Sequence, residues 1–85
     1  MNNVSIEEIA RALRKEMSVI TSREISKIDP EASLASNGIN SMGFIELLLS
    51  VERLWDVKLV EAGLSMADVR TVNALAGRIR QEMDK

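Results

Sequence analysis

The sequence contains no cysteine and no histidine. Without cysteine there are no disulfide staples and no thiolate metal sites, which suits a reducing compartment. Together the two absences remove the commonest catalytic base and the commonest thiol nucleophile. Tyrosine is missing as well, and Phe44 and Trp55 are the only aromatic residues, so the core has to be aliphatic. Proline occurs once, at Pro30, and the 4 glycines are scattered, which leaves no glycine-rich phosphate loop. No apolar run approaches the ~20 residues that a membrane span needs. The start, Met1 to Glu8, has neither the basic residues nor the apolar stretch of a secretory signal. A cytoplasmic location and no membrane partner are therefore expected. Basic residues such as Arg11, Arg14, Lys15, Arg78 and Arg80 are dispersed among acids, and the net charge is −2, so nucleic acid is not an expected partner.

What remains is 85 residues, 46% of them hydrophobic, which is enough for one domain spanning residues 1–85. A domain this small buries only roughly 60–65% of the surface its unfolded chain exposes, so its stability should be modest. Ser5 and Glu8 have the spacing of a capping box. Ile6, Ile9, Ala10, Leu13, Met17 and Ile20 then recur at three- and four-residue spacing, predicting a helix from about Ile6 to Val19. From Thr21 to Ser36 no period holds, and Pro30 disfavours helix at Asp29. This reads as a long loop pinned by Ile25, Ile28 and Leu34. A short helical turn near Ser22–Ser26 is compatible with the capping-box spacing of Thr21 and Glu24. Loops of more than ~12–15 residues are uncommon in compact domains and are usually functional.

Asn37-Gly38 is a turn signal, and a strong helical run follows from Met42 to Trp55, with Asn40 or Ser41 as its cap. Its apolar residues are too many for one face, so this helix is either central or apolar on a partner-facing side. Leu47, Leu48, Val51, Leu54 and Trp55 are expected inward. Val57 to Val60 reads as a loop anchored by Leu59. A short helix is expected around Ser65–Asp68, and Thr71 caps a last helix with Val72, Leu75, Ala76, Ile79 and Met83 on its apolar face. The fold class is thus all-α: three main helices plus one short helix, with a long first loop.

A serine at the first residue of a helix after a glycine turn is ordinarily a cap. It is also an exposed hydroxyl on a rigid element, and a helix N-terminus favours a phosphate. The segments Ile28-Asp29-Pro30-Glu31-Ala32-Ser33-Leu34, Gly38-Ile39-Asn40-Ser41-Met42 and Glu46-Leu47-Leu48-Leu49-Ser50-Val51-Glu52 resemble the phosphopantetheine-binding carrier family, which comprises acyl and peptidyl carrier proteins. The family's Asp-Ser-Leu motif here reads Asn40-Ser41-Met42.

The resemblance implies a four-helix carrier-protein bundle of the stand-alone type. It also implies 4'-phosphopantetheine joined covalently to Ser41 by a phosphopantetheinyl transferase. The thiol would then belong to the cofactor, which explains how a chain without cysteine carries acyl or aminoacyl cargo as thioesters. The chain itself would be non-catalytic and a monomer. It would serve a loading enzyme (an adenylating ligase or an acyltransferase) and downstream synthase or tailoring enzymes.

The implied partner surface is Asn40, Met42, Ile45, Glu46, Leu49 and Glu52. Core burial of Met42, Ile45 and Leu49, and plain solvation of the two acids, are the competing readings. Gly43, Arg53 and Lys58 stand where strongly acidic fatty-acid carriers often have acids, and Trp55 where phenylalanine is common. These departures fit a dedicated carrier of a polyketide or nonribosomal pathway better than primary fatty-acid synthesis. Trp55 and the leucines would fill the space between the helices and leave small, aromatic or aminoacyl cargo outside. An unmodified helical interaction adaptor is the rival class. It explains the apolar helix but not the loop-to-serine pattern.

Overall fold

The computed structural model describes residues 4–85. Met1 to Asn3, part of the start that was read as lacking a secretory signal, lie outside the described residues. Helix α1 spans Ile6–Thr21, α2 Ser41–Trp55, α3 Leu59–Ala62 and α4 Val72–Met83, with 3-10 turns at Ile25–Lys27 and Met66–Val69. No strand occurs among the described residues, so the all-α class holds.

The predicted capping box opens α1: the Glu8 N–H donates to Ser5 Oγ (3.1 Å), and the Ser5 N–H donates to Glu8 Oε1 (3.3 Å). The helix runs two residues further than its periodicity predicts. Thr21 Oγ1 donates back to the Met17 carbonyl (2.7 Å), so Thr21 closes this helix rather than capping another turn. Ser22, left-handed at φ 57°, ends it. Helix α1 packs on both α4 and α2. The shared core is aliphatic: Ile9, Leu13, Met17, Leu47, Val51, Val72, Leu75 and Ile79 are all closed to solvent.

Three expectations need correction. Ile25 is exposed, so only Ile28 and Leu34 pin the loop. Leu54 is exposed rather than inward, because Leu47 and Val51 already occupy the core-facing stripe of α2. The short α-helix is Leu59–Ala62, inside the segment read partly as loop, while the turn around Ser65–Asp68 is 3-10 and spans Met66–Val69. Burial of Leu59 and the positive φ of Gly63 (79°), which stops the helix after one turn, outweigh the extended preference of its β-branched neighbours.

The connection from α3 to α4 is held by Arg78. Its guanidinium donates to Asp68 (2.7 Å), Glu82 (3.0 Å) and the Ala62 (2.9 Å) and Gly63 (3.3 Å) carbonyls. Lys85 also reaches Glu82 (2.9 Å). The Ser65 backbone N–H, then its hydroxyl and Arg78, hold the Asp68 carboxyl below its ordinary range. Lys85 and then Arg78 do the same for Glu82, and Glu82 above all strengthens the hold of Arg78 on its proton. A depressed carboxylate contributes stability above its unfolded pKa and loses it as pH falls through the folded value. The melting temperature should therefore be flat from neutral pH down to roughly pH 5.5 and fall below about pH 5, where unfolded carboxylates begin to bind protons. In Arg78→Gln the same acid titration, followed by circular dichroism, should cost less of the melting temperature than in the wild type.

Candidate functional site

The loop between α1 and α2 is organised by a side chain that the sequence shows only as part of a turn. Asn37 is 2% exposed. Its Oδ1 accepts from the Asp29 N–H (2.8 Å), and its Nδ2 donates to the Asp29 and Ser33 carbonyls (2.9 Å each). A buried amide satisfied on both sides fixes the loop, since losing any partner would strand a polar group in the core. Gly38 follows at φ 93°, where a Cβ would also lie 2.9 Å from the Arg23 guanidinium carbon. Ile39, buried, sends the chain into α2.

At that entry two readings of the cap stood open, and the structure separates them. The Gly43 N–H donates to Asn40 Oδ1 (2.8 Å), and the Phe44 N–H donates to the Asn40 carbonyl (2.8 Å). Asn40 is the cap. Ser41, the first residue of the helix, is exposed, and its hydroxyl has no partner among the described residues. Neither an acid in the first helical turn nor a charge on Asn40 offsets the positive end of the 15-residue α2. An anion joined at Ser41 would meet free N–H groups and no resident negative charge. Gly43 is buried against α1: a Cβ there would come within 3.1 Å of Ile20 Cγ2. A side chain at this position would require Ile20 to give by a few tenths of an ångström.

Along α2 the outer positions Met42 (66%), Ile45 (51%) and Leu49 (61%) are exposed, so their core reading is set aside. Glu46 and Glu52 are exposed beside them. Arg53 pairs with Glu16 (3.1 Å) across to α1. Ser41 also borders a groove of about 700 Å³ between the loop and the 3-10 turn before α4. Sequence reasoning missed this groove and the role of Asn37, since both depend on long-range contacts that no local period encodes.

Residues 11–79 match the model of a family described as the phosphopantetheine attachment site. The chain belongs to this family of phosphopantetheine-binding carriers. Aminoacyl carrier protein 2 of Bradyrhizobium diazoefficiens is 32% identical over 84 residues, covering 98% of this chain and 94% of that protein. The family attaches its cofactor through a serine, and its role is to carry cargo as thioesters. A carrier needs a serine hydroxyl that is accessible, unspent and rigidly held. Ser5, Ser18, Ser33 and Ser65 donate or accept in local hydrogen bonds, and Ser50 is buried. Ser41 is the hydroxyl that starts a long helix with nothing bonded to it, so the residues present fit the group. No helix among the described residues is long and apolar enough to cross a membrane.

The cap assignment is testable by unfolding. Asn40→Ala should lower stability by about 1 kcal/mol (range ~0.5–2) in urea denaturation. Ser41→Ala should stay within about 0.5 kcal/mol of wild type. The opposite ranking would make Ser41 the cap.

Proposed function

We propose that this chain is a stand-alone, non-catalytic carrier whose Ser41 bears 4'-phosphopantetheine, and that it hands acyl or aminoacyl intermediates between enzymes of a polyketide- or nonribosomal-type pathway in the cytoplasm. The carrying observation is the division of labour at the start of α2: Asn40 takes the Gly43 N–H and leaves the Ser41 hydroxyl free. When bound, the cofactor supplies a terminal thiol that holds cargo as a thioester.

The chain's own residues present and orient the attachment point and do no chemistry there. As Ser41 Oγ bonds to the phosphorus of the phosphopantetheine of coenzyme A, the pyrophosphate P–O bond breaks, adenosine 3',5'-bisphosphate leaves, and the serine proton must pass to a base. No side chain among the described residues hydrogen-bonds that hydroxyl, so the base comes from the transferase. The loading enzyme and later partners would read the same surface. Met42, Ile45 and Leu49 supply apolar contact, while Asn40, Glu46 and Glu52 supply polar and negative groups at the rim, which chiefly set encounter rate and partner choice. The identity to a protein named as an aminoacyl carrier, over almost the full length of both, supports an aminoacyl cargo and a stand-alone carrier.

Intact mass after incubation with coenzyme A and a broad-specificity phosphopantetheinyl transferase tests the attachment. Wild type should gain the arm and Ser41→Ala should gain nothing; a mass gain in the variant refutes the assignment. Ile45→Ser and Leu49→Ser test the surface. Both positions are exposed, so melting should be preserved, while arm transfer at limiting enzyme should slow about fivefold or more, as expected when an interface anchor worth over ~1 kcal/mol is truncated.

A further inference from the structure

The groove beside Ser41 has an apolar lining and a single charge. Leu34 and Ile39 form its loop side, Phe44 lies along α2, and Met66 and Val69 form the opposite side. Arg70 is the one charged residue lining it. Arg70 is exposed and has no ion-pair partner among the described residues. Asp68, two residues before it in the chain, is committed to Ser65 and Arg78, and Glu31 to the Asn73 amide. An uncompensated cation therefore faces an apolar trough whose far rim is the positive end of α2.

The two sides of the groove are tied together at their base. The Val72 N–H donates to the Ala32 carbonyl (3.2 Å) and the Asn73 N–H to the Pro30 carbonyl (3.1 Å), so the first N–H groups of α4 are met by the loop. Arg78 holds the chain just ahead of Met66 through the Ala62 and Gly63 carbonyls. The backbone of both sides is held before anything enters, so the ordering cost falls mainly on the exposed side chains of Met66 and Arg70. The helical core itself is closed, with Leu47, Val51, Leu75 and Ile79 shut off from solvent, so this trough is where apolar atoms near Ser41 can be accommodated outside it.

We propose that the groove is a berth selective for anions, in which Phe44, Met66 and Val69 take the hydrocarbon part of a group tethered at Ser41 and Arg70 takes a phosphate or carboxylate oxygen. The proposal rests on attachment at Ser41. The anion has two possible sources with the same chemistry, the phosphodiester of the arm or a carboxylate at the end of the cargo. Cargo ending in a free ammonium is repelled by Arg70 and stays outside, open to partner enzymes. The berth thus sorts cargo by charge: acyl groups ending in a carboxylate are held, and aminoacyl groups are left free.

The test uses holo protein, first checked by mass, with the arm unloaded or carrying acetyl, succinyl or alanyl groups. Methyl signals of Met66 and Val69 are compared with those of the apo chain, and the phosphorus signal of the arm is compared across the loads, in wild type, Arg70→Gln and Arg70→Lys. Circular dichroism checks that each variant is folded. The succinyl form should displace the methyl signals more than the acetyl form, and the alanyl form least. Arg70→Gln should reduce the Arg70-dependent displacement about two- to fivefold, the range expected for one exposed ion pair, and Arg70→Lys should restore most of it. Displacement and a phosphorus shift already dependent on Arg70 in the unloaded arm assign the anion to the phosphodiester. Dependence seen with succinyl alone assigns it to the cargo carboxylate. Equal displacements in wild type and Arg70→Gln with every load overturn the berth while leaving attachment intact. A failure of the initial mass gain overturns the attachment reading and the berth with it.

Discussion

A helix begins with N–H groups that its own turns cannot satisfy, and a side chain just ahead of it usually meets one of them. In α2 that side chain is Asn40, through the bond from Gly43 to Oδ1 at 2.8 Å. The rest of the site follows from this bond. With the cap supplied one residue earlier, Ser41 keeps helical backbone geometry, points its hydroxyl to solvent and owes it to nothing. Because Asn40 is neutral and the first turn holds no acid, the positive end of the helix remains available to a phosphate.

The cap works only if the loop delivers Asn40 to the right place, which is the task of Asn37 and the contacts around it. Its buried amide ties residue 29 to residues 33 and 37, and Ile28 and Leu34 seat the loop on the core. The loop in turn satisfies the start of α4 through the Ala32 and Pro30 carbonyls. The long connection is therefore held by hydrogen bonds within itself and to the start of α4. The groove next to Ser41 is a by-product of the same arrangement, since its two sides are the loop and the turn that leads into α4.

Much of this was readable from the chain. The capping box of Ser5 and Glu8, the periodic faces of α1 and α4, the Thr71 cap and the position of Ser41 at a helix start are local signals, each carried by residues within one or two turns. The sequence left the choice between Asn40 and Ser41 as cap open, because either residue type can accept from the third helical N–H, and only backbone geometry separates them. Val57 to Val60 look briefly like a strand and read as loop because four such residues have no second strand to pair with; the buried Leu59 and the terminating Gly63 impose a helical turn that local preference does not show. Arg78 reads in the sequence only as one of several dispersed basic residues, yet three of its four partners lie between α3 and α4 or at the end of α3, and two of these are carbonyls that no sequence pattern marks. Met42, Ile45 and Leu49 stood between core and surface on pattern alone. The tertiary packing, in which Leu47 and Val51 fill the inward stripe, turns them out.

The account depends on one atom, the Ser41 hydroxyl oxygen, being the point where the prosthetic group joins the chain. Proteolysis of the wild-type holo protein followed by fragmentation mass spectrometry locates that group directly. The account predicts that every modified peptide contains residue 41 and that fragment ions place the added mass on it. Mass found on another serine, such as the exposed Ser26, would contradict it.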